Sequence, residues 1–237
     1  MNNLSYILAP IVLLILTVSC RPSTQELQLE ATRMLHEKNY KGVIDITGKI
    51  LEHNTARTDV YNMRGIAFLE LHNMEESIKC FSKSIELDSL DYRPYYNRGK
   101  AFFENNEVEK ALKDYNIALK LKGEHPDIYT NRGISYFTAG NYTSALNDFN
   151  KALSFDPADE KIWCNRGNVK LVLTDYKGAI KDLKKAISIN KNYAKAYQGL
   201  GLAQIFSGKT SEGCETLEKS INLGNKEALN FKKKFCK

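Results

Sequence analysis

The chain predicts an all-α fold, a solenoid of antiparallel helix pairs, and three observations carry that prediction. Glycines recur at Gly65, Gly99, Gly133, Gly167 and Gly201, each 34 residues after the last. Tyr61, Tyr95, Tyr129, Trp163 and Tyr197 stand four residues before them, and Ser77, Ala111, Ala145, Ala179 and Gly213 twelve after. Six units of 34 fill Thr24 to Glu227, nearly the whole chain once a leader is set aside. A period that consumes the chain excludes an ordinary globular enzyme built round one core. Composition agrees, since 43% hydrophobic residues, 26% charged residues and five prolines leave room for many helices. The net charge of +6 is modest and by itself says little about partners.

The first element is a leader, residues 1–19. Leu4 to Val18 is almost wholly apolar, and its fifteen residues would rise about 22 Å as a helix, short of the roughly 30 Å of hydrocarbon in a bilayer. A stretch of this length before small residues reads as a signal-peptide core. Leu16-Thr17-Val18-Ser19-Cys20 resembles a bacterial lipobox, which implies cleavage before Cys20 and acylation of its thiol. Residues 20–23 then form a short tether. The resemblance implies an envelope address, lipid-anchored, on the outer membrane and facing the periplasm.

The units run 24–57, 58–91, 92–125, 126–159, 160–193 and 194–227. Aromatic, glycine and aromatic (Tyr95, Gly99, Phe102) at steps of four and three share one face of a first helix. Small residues at steps of seven, such as Ala145 and Ala152, line a second helix, where glycine and alanine let the pair approach closely. Ala139-Gly140-Asn141 and Asn105-Asn106 make short turns between the two. Pro94 and Pro126 sit at first-helix starts, where proline is tolerated. In 24–57 the aromatic becomes Leu27 and the glycine Ala31, a degenerate end unit. Residues 228–237 read as one amphipathic capping helix with Lys232–Lys234 toward solvent. The pattern resembles the tetratricopeptide repeat, which implies a right-handed superhelix whose groove receives a peptide or protein.

Catalytic machinery is not legible. His36, His53, His72 and His125 are scattered, with no second ligand at metal-site spacing. No glycine-rich phosphate loop or nucleophile motif occurs, so neither cofactor, metal, catalytic residue nor nucleic-acid partner is expected. Cys80 and Cys164 are too far apart in the stack to pair. Cys214 and Cys236 lie on neighbouring final helices, and a disulfide that pins the cap is expected, against two separately buried thiols. Arg64, Arg98, Arg132 and Arg166 each precede a repeat glycine, and Asp114, Asp148 and Asp182 follow the last three by sixteen residues. The spacing allows either a ladder of ion pairs or exposed single charges. At the surface each pair would contribute about 0–1 kcal/mol.

If the signature aromatics face inward, the opposite face of each first helix is fixed by the 100° step. It holds Arg93, Asn97, Lys100 and Glu104, then Asp127, Asn131, Ile134 and Thr138, then Lys161, Asn165, Asn168 and Val172. A row of asparagines can hold a peptide backbone and lysines can receive a carboxylate. This resembles in part the carboxylate clamp of chaperone-binding tetratricopeptide domains, with Tyr96 where that clamp has a lysine. Arg93, Tyr96, Asn97, Lys100, Asn131, Lys161, Asn165 and Asn168 are therefore the groove candidates. The function expected is a lipid-anchored interaction scaffold in the envelope. The alternative is a structural spacer that joins envelope partners without gripping an extended peptide.

Overall fold

The computed structural model describes residues 22–236, which form thirteen α-helices and, among the described residues, no strand. The first pair is α1 (Thr24–His36) and α2 (Tyr40–His53), followed by α3 (Thr58–Glu70) and α4 (Met74–Leu87). Next come α5 (Tyr92–Glu104) with α6 (Val108–Lys122), and α7 (Pro126–Thr138) with α8 (Tyr142–Phe155). The last pairs are α9 (Glu160–Val172) with α10 (Tyr176–Ile189), and α11 (Ala194–Phe206) with α12 (Thr210–Asn222). A terminal α13 (Lys226–Phe235) closes the row. It begins two residues before the expected 228, because the Asn225 side chain accepts from the Glu227 N–H and so starts the helix there. The leader and Cys20 lie outside the described residues.

Helix starts are set locally. Ser23 and Glu26 form a reciprocal capping box on α1. Asn39, Asn73, Asn141 and Asp175 cap the second helices by accepting from the N–H three residues on. The turn inside each pair carries one left-handed residue, at Lys38, His72, Asn106, Gly140, Thr174 and Gly208. These six recur at the repeat period. Only two are glycine, and Thr174 at φ 62° is β-branched, a conformation in which its Cβ crowds the backbone. Thr174→Gly should therefore stabilise the chain by about 1 kcal/mol, the strain removed exceeding the added chain entropy. A rise in melting temperature checks this, and a fall would show that the turn gains more from its side chain.

Packing follows the repeat. Phe81, Tyr115 and Phe149 are the largest wholly buried side chains, and each stands over the glycine of its own first helix. A Cβ on Gly65, Gly99 or Gly133 would come within 2.6, 2.7 or 2.9 Å of the ring. The repeat glycine meets the small residue of the second helix as expected, with Ser77 Oγ donating to the Gly65 carbonyl oxygen at 3.0 Å, and beside that contact an aromatic ring from the second helix fills the space of the missing side chain. In the last two pairs, Leu183 and Leu217 take the same place against Gly167 and Gly201. The first unit is degenerate in sequence but not loose, since Ala31, Val43 and Ile50 are as buried as the centre.

Each first helix touches the next first helix, whereas no second helix of the described residues touches the next second helix. The stack consequently curves, with α1, α3, α5, α7, α9 and α11 on its inner side. That curvature makes the first-helix face a groove.

Candidate functional site

Between the two layers of helices runs a ladder of buried charge. Arg98 donates Nε and Nη2 to the two carboxylate oxygens of Asp114 at 2.7 and 2.9 Å. Arg132 holds Asp148 in the same fork at 2.8 and 2.7 Å, and Arg166 holds Asp182 at 2.7 and 2.9 Å. The aspartate side chains retain 6, 6 and 1% of their surface and the arginines 19, 18 and 15%, so the surface-pair expectation is overturned. The cause is a third bond. Each Nη1 reaches back to the preceding second helix, to Ser82 at 3.0 Å, Asn116 at 2.6 Å and Asn150 at 2.7 Å. One guanidinium thereby ties its own pair to the pair before it.

The signature aromatics complete each rung. Arg98 lies 5.7 Å from both the Tyr95 and Phe102 rings, and Arg132 lies 5.7 and 5.6 Å from Tyr129 and Tyr136. Arg166 lies 4.6 Å from Trp163. A cation between ring faces gains from the quadrupoles and loses its water, which strengthens the bidentate bond to aspartate. Arg64 starts the ladder without a carboxylate, because Cys80 stands where later units have aspartate. Its Nη1 donates instead to the Ile44 carbonyl oxygen at 2.7 Å. These arginines build the solenoid rather than its ligand site.

The groove candidates divide sharply. Arg93 is held by Asp91 on its own helix start, at 2.8 Å. Asn97 donates to Asn62 Oδ1 at 3.0 Å on the preceding first helix. Asn131 donates to the Tyr96 hydroxyl oxygen, again at 3.0 Å and again across neighbouring first helices. Tyr96 is half-buried between units, packed on Tyr115 and His125, and burial pushes its phenol up to about 12. The asparagine row read as one peptide-holding surface is therefore partly an internal lacing of the stack. Asn168 is tied only weakly, its amide nitrogen 3.7 Å from Cys164 Sγ. Lys100, Lys161 and Asn165 have no side-chain ion pair or hydrogen bond among the described residues. Lys195, exposed at the equivalent place on α11, joins them and was not singled out by the sequence. Its position 34 residues after Lys161 was the available signal.

Cys214 and Cys236 form a disulfide with a Cα–Cα distance of 5.8 Å that ties α13 to α12. Cys80 and Cys164 are buried and free, and burial pushes both thiols up to about 11. Such thiols stay protonated and act as small apolar side chains.

A curved stack of helix pairs with a polar inner face and a laced interior defines a repeat scaffold for protein–protein interaction. Models of the tetratricopeptide repeat match residues 58–89, 126–159 and 160–193, and a further TPR repeat model matches 99–140. The chain belongs to the tetratricopeptide repeat family. Among solved structures it is similar to a tetratricopeptide repeat protein from Parabacteroides merdae, at 19% identity and a TM-score of 0.72. That likeness covers 84% of this chain and 79% of the other. YrrB, a TPR protein with an unusual peptide-binding site, is similar at 19% identity and a TM-score of 0.67, over 79% of this chain and 97% of its own. The C-terminal part of a TPR protein from Cytophaga hutchinsonii is similar at 18% identity and a TM-score of 0.69, over 84% and 79%. These likenesses concern the fold. No curated protein matches the sequence.

Proposed function

We propose that this protein is a lipid-anchored interaction scaffold of the bacterial cell envelope that grips a peptide or protein segment along the inner face of its first helices. One observation carries the groove: Lys100, Lys161 and Asn165 stand on that face as polar groups without partners among the described residues, while neighbouring polar groups are internally bonded. Unpaired cations and an unpaired amide, held on rigid helices, are pre-organised for an incoming chain. The envelope address is supported by the lipobox resemblance at Cys20 and by the disulfide, which an oxidising compartment sustains.

The spacer reading is favoured by a different observation. Asn97–Asn62 and Asn131–Tyr96 lace adjacent first helices together and remove two amides from the groove. A stiff rod that only joins partners would use them in this way.

The two readings separate by crosslinking in native membranes. A photoreactive residue at Asn165 should capture a partner, and Lys100→Glu with Lys161→Glu should abolish capture without lowering the melting temperature. Both lysines lack partners, so reversing them breaks no bond of the fold. Capture from exposed Lys184 on α10, with none from Asn165, would favour the spacer. Mass spectrometry of the mature N-terminus, expected to show an acylated Cys20, tests the address.

A further inference from the structure

Resting on the groove reading, we infer that the groove contains a side-chain notch between α7 and α9, and that its ligand is an extended acidic segment presenting one small apolar side chain there. The notch has a volume of about 60 Å³ and is lined by Ile134, Phe137, Phe149, Asn165 and Asn168. Phe149 is wholly buried and forms the floor, while Ile134 and Phe137 are half-buried walls. This space is well under the ~150 Å³ of an apolar cavity that holds a benzene ring, so it has room for a small aliphatic side chain and too little for a ring.

The repeat itself supplies the control. Asn97, Asn131 and Asn165 occupy one position in three successive first helices. The first two donate across to the preceding helix, to Asn62 and Tyr96. At the third junction the partner position is Thr130, whose hydroxyl is turned to the Pro126 carbonyl oxygen at 3.0 Å. Asn165 is consequently left with a free carboxamide at the mouth of the notch. An asparagine amide both donates and accepts, so it can pair with the N–H and C=O of a passing peptide. An apolar recess beside such a group is how main-chain recognition acquires side-chain selectivity.

Charge fixes the rest of the partner. Lys161 lies one turn before Asn165 on the same stripe, and Lys100 lies on α5 beyond α7, both without an acidic partner. Asp127 on α7 is the exposed acid at the height of Lys161. Acidic side chains before and after the inserted residue meet the two lysines, and a basic segment would meet two unpaired like charges.

The test uses the full chain in a non-ionic detergent, read by fluorescence anisotropy against labelled, unstructured acidic peptides of about ten residues. The peptides differ only at one central residue, set to Gly, Ala, Val, Leu or Phe. Binding should peak at Ala or Val and fall by about tenfold or more at Phe, the scale of a misfitted methylene in an apolar pocket. Ile134→Phe, which fills the notch with an apolar ring, should shift the preference to Gly while leaving the melting temperature close to that of the parent. Asn165→Ala should weaken every peptide alike. Binding with no dependence on the central residue overturns the notch and leaves the groove reading standing. Binding of basic peptides in preference to acidic ones overturns the partner assigned here, and binding of no peptide at all removes the groove reading with it.

Discussion

Asp148→Ala is expected to lower stability by about 3 kcal/mol, because it leaves the Arg132 guanidinium desolvated and without its counter-charge. For a chain of this size that corresponds to a fall in melting temperature of roughly 6–12 °C. The loss should exceed that from a surface charge, since the Asp148 side chain keeps 6% of its exposure and accepts both nitrogens of the fork. The rung also ties α7 to α6 through Asn116, so its failure weakens the junction between two repeats. In a solenoid each unit is stabilised largely by its neighbours, and a broken central junction divides the stack. A double-mutant cycle with Arg132→Met should recover much of the loss, because a residue without charge tolerates burial. Additive losses in that cycle would mean that the two side chains act independently, contrary to the geometry.

The second large effect concerns the C-terminal end. Reduction of Cys214–Cys236, or Cys236→Ser, should destabilise α13 by about 3 kcal/mol, the chain-entropy value for a loop of this size. The sequence separation is 22 residues. What remains to hold α13 is small: buried Ala228, the Asn225 amide donating to Gln198 and Ser220, the edge contact of Phe235 with Phe206 at 5.4 Å, and the Lys232–Glu218 pair. The helix should fray locally while α3 to α10 remain folded, because units far from the end share no contact with it. Limited proteolysis with and without reductant provides the measurement. New cleavage confined to residues after Asn222 is the expected result, and equal cleavage rates in both conditions would show that packing alone secures the cap.

The period, the helix pairs and their turns were legible in the sequence because they rest on local physics. Glycine every 34 residues displays the period directly, and side-chain oxygens at Asn73, Asn141 and Asp175 and proline at the α7 start act within a few residues of where they stand. The inner face was legible for the same reason, since a 100° step needs no knowledge of neighbours. The site was less so. Asn97, Asn131 and Asn165 are one residue type in one register, yet two lace the stack and the third is free. What separates them is the residue opposite on the preceding helix: Asn62, Tyr96 or Thr130.

The arginine ladder shows the same division. Spacing allowed Arg98–Asp114, Arg132–Asp148 and Arg166–Asp182, but it could not tell exposed charges from buried ones. Burial depends on how closely one pair seats against the one before, and each guanidinium bonds across that junction to Ser82, Asn116 or Asn150. The sequence by itself determined an α-solenoid of tetratricopeptide pairs, its register and the stripe that lines its groove. Only the tertiary structure decided which polar groups on that stripe are engaged across the junctions and which have no partner among the described residues. A hydrogen bond between repeats needs two partners at matched height on separate helices, and no single repeat carries that information.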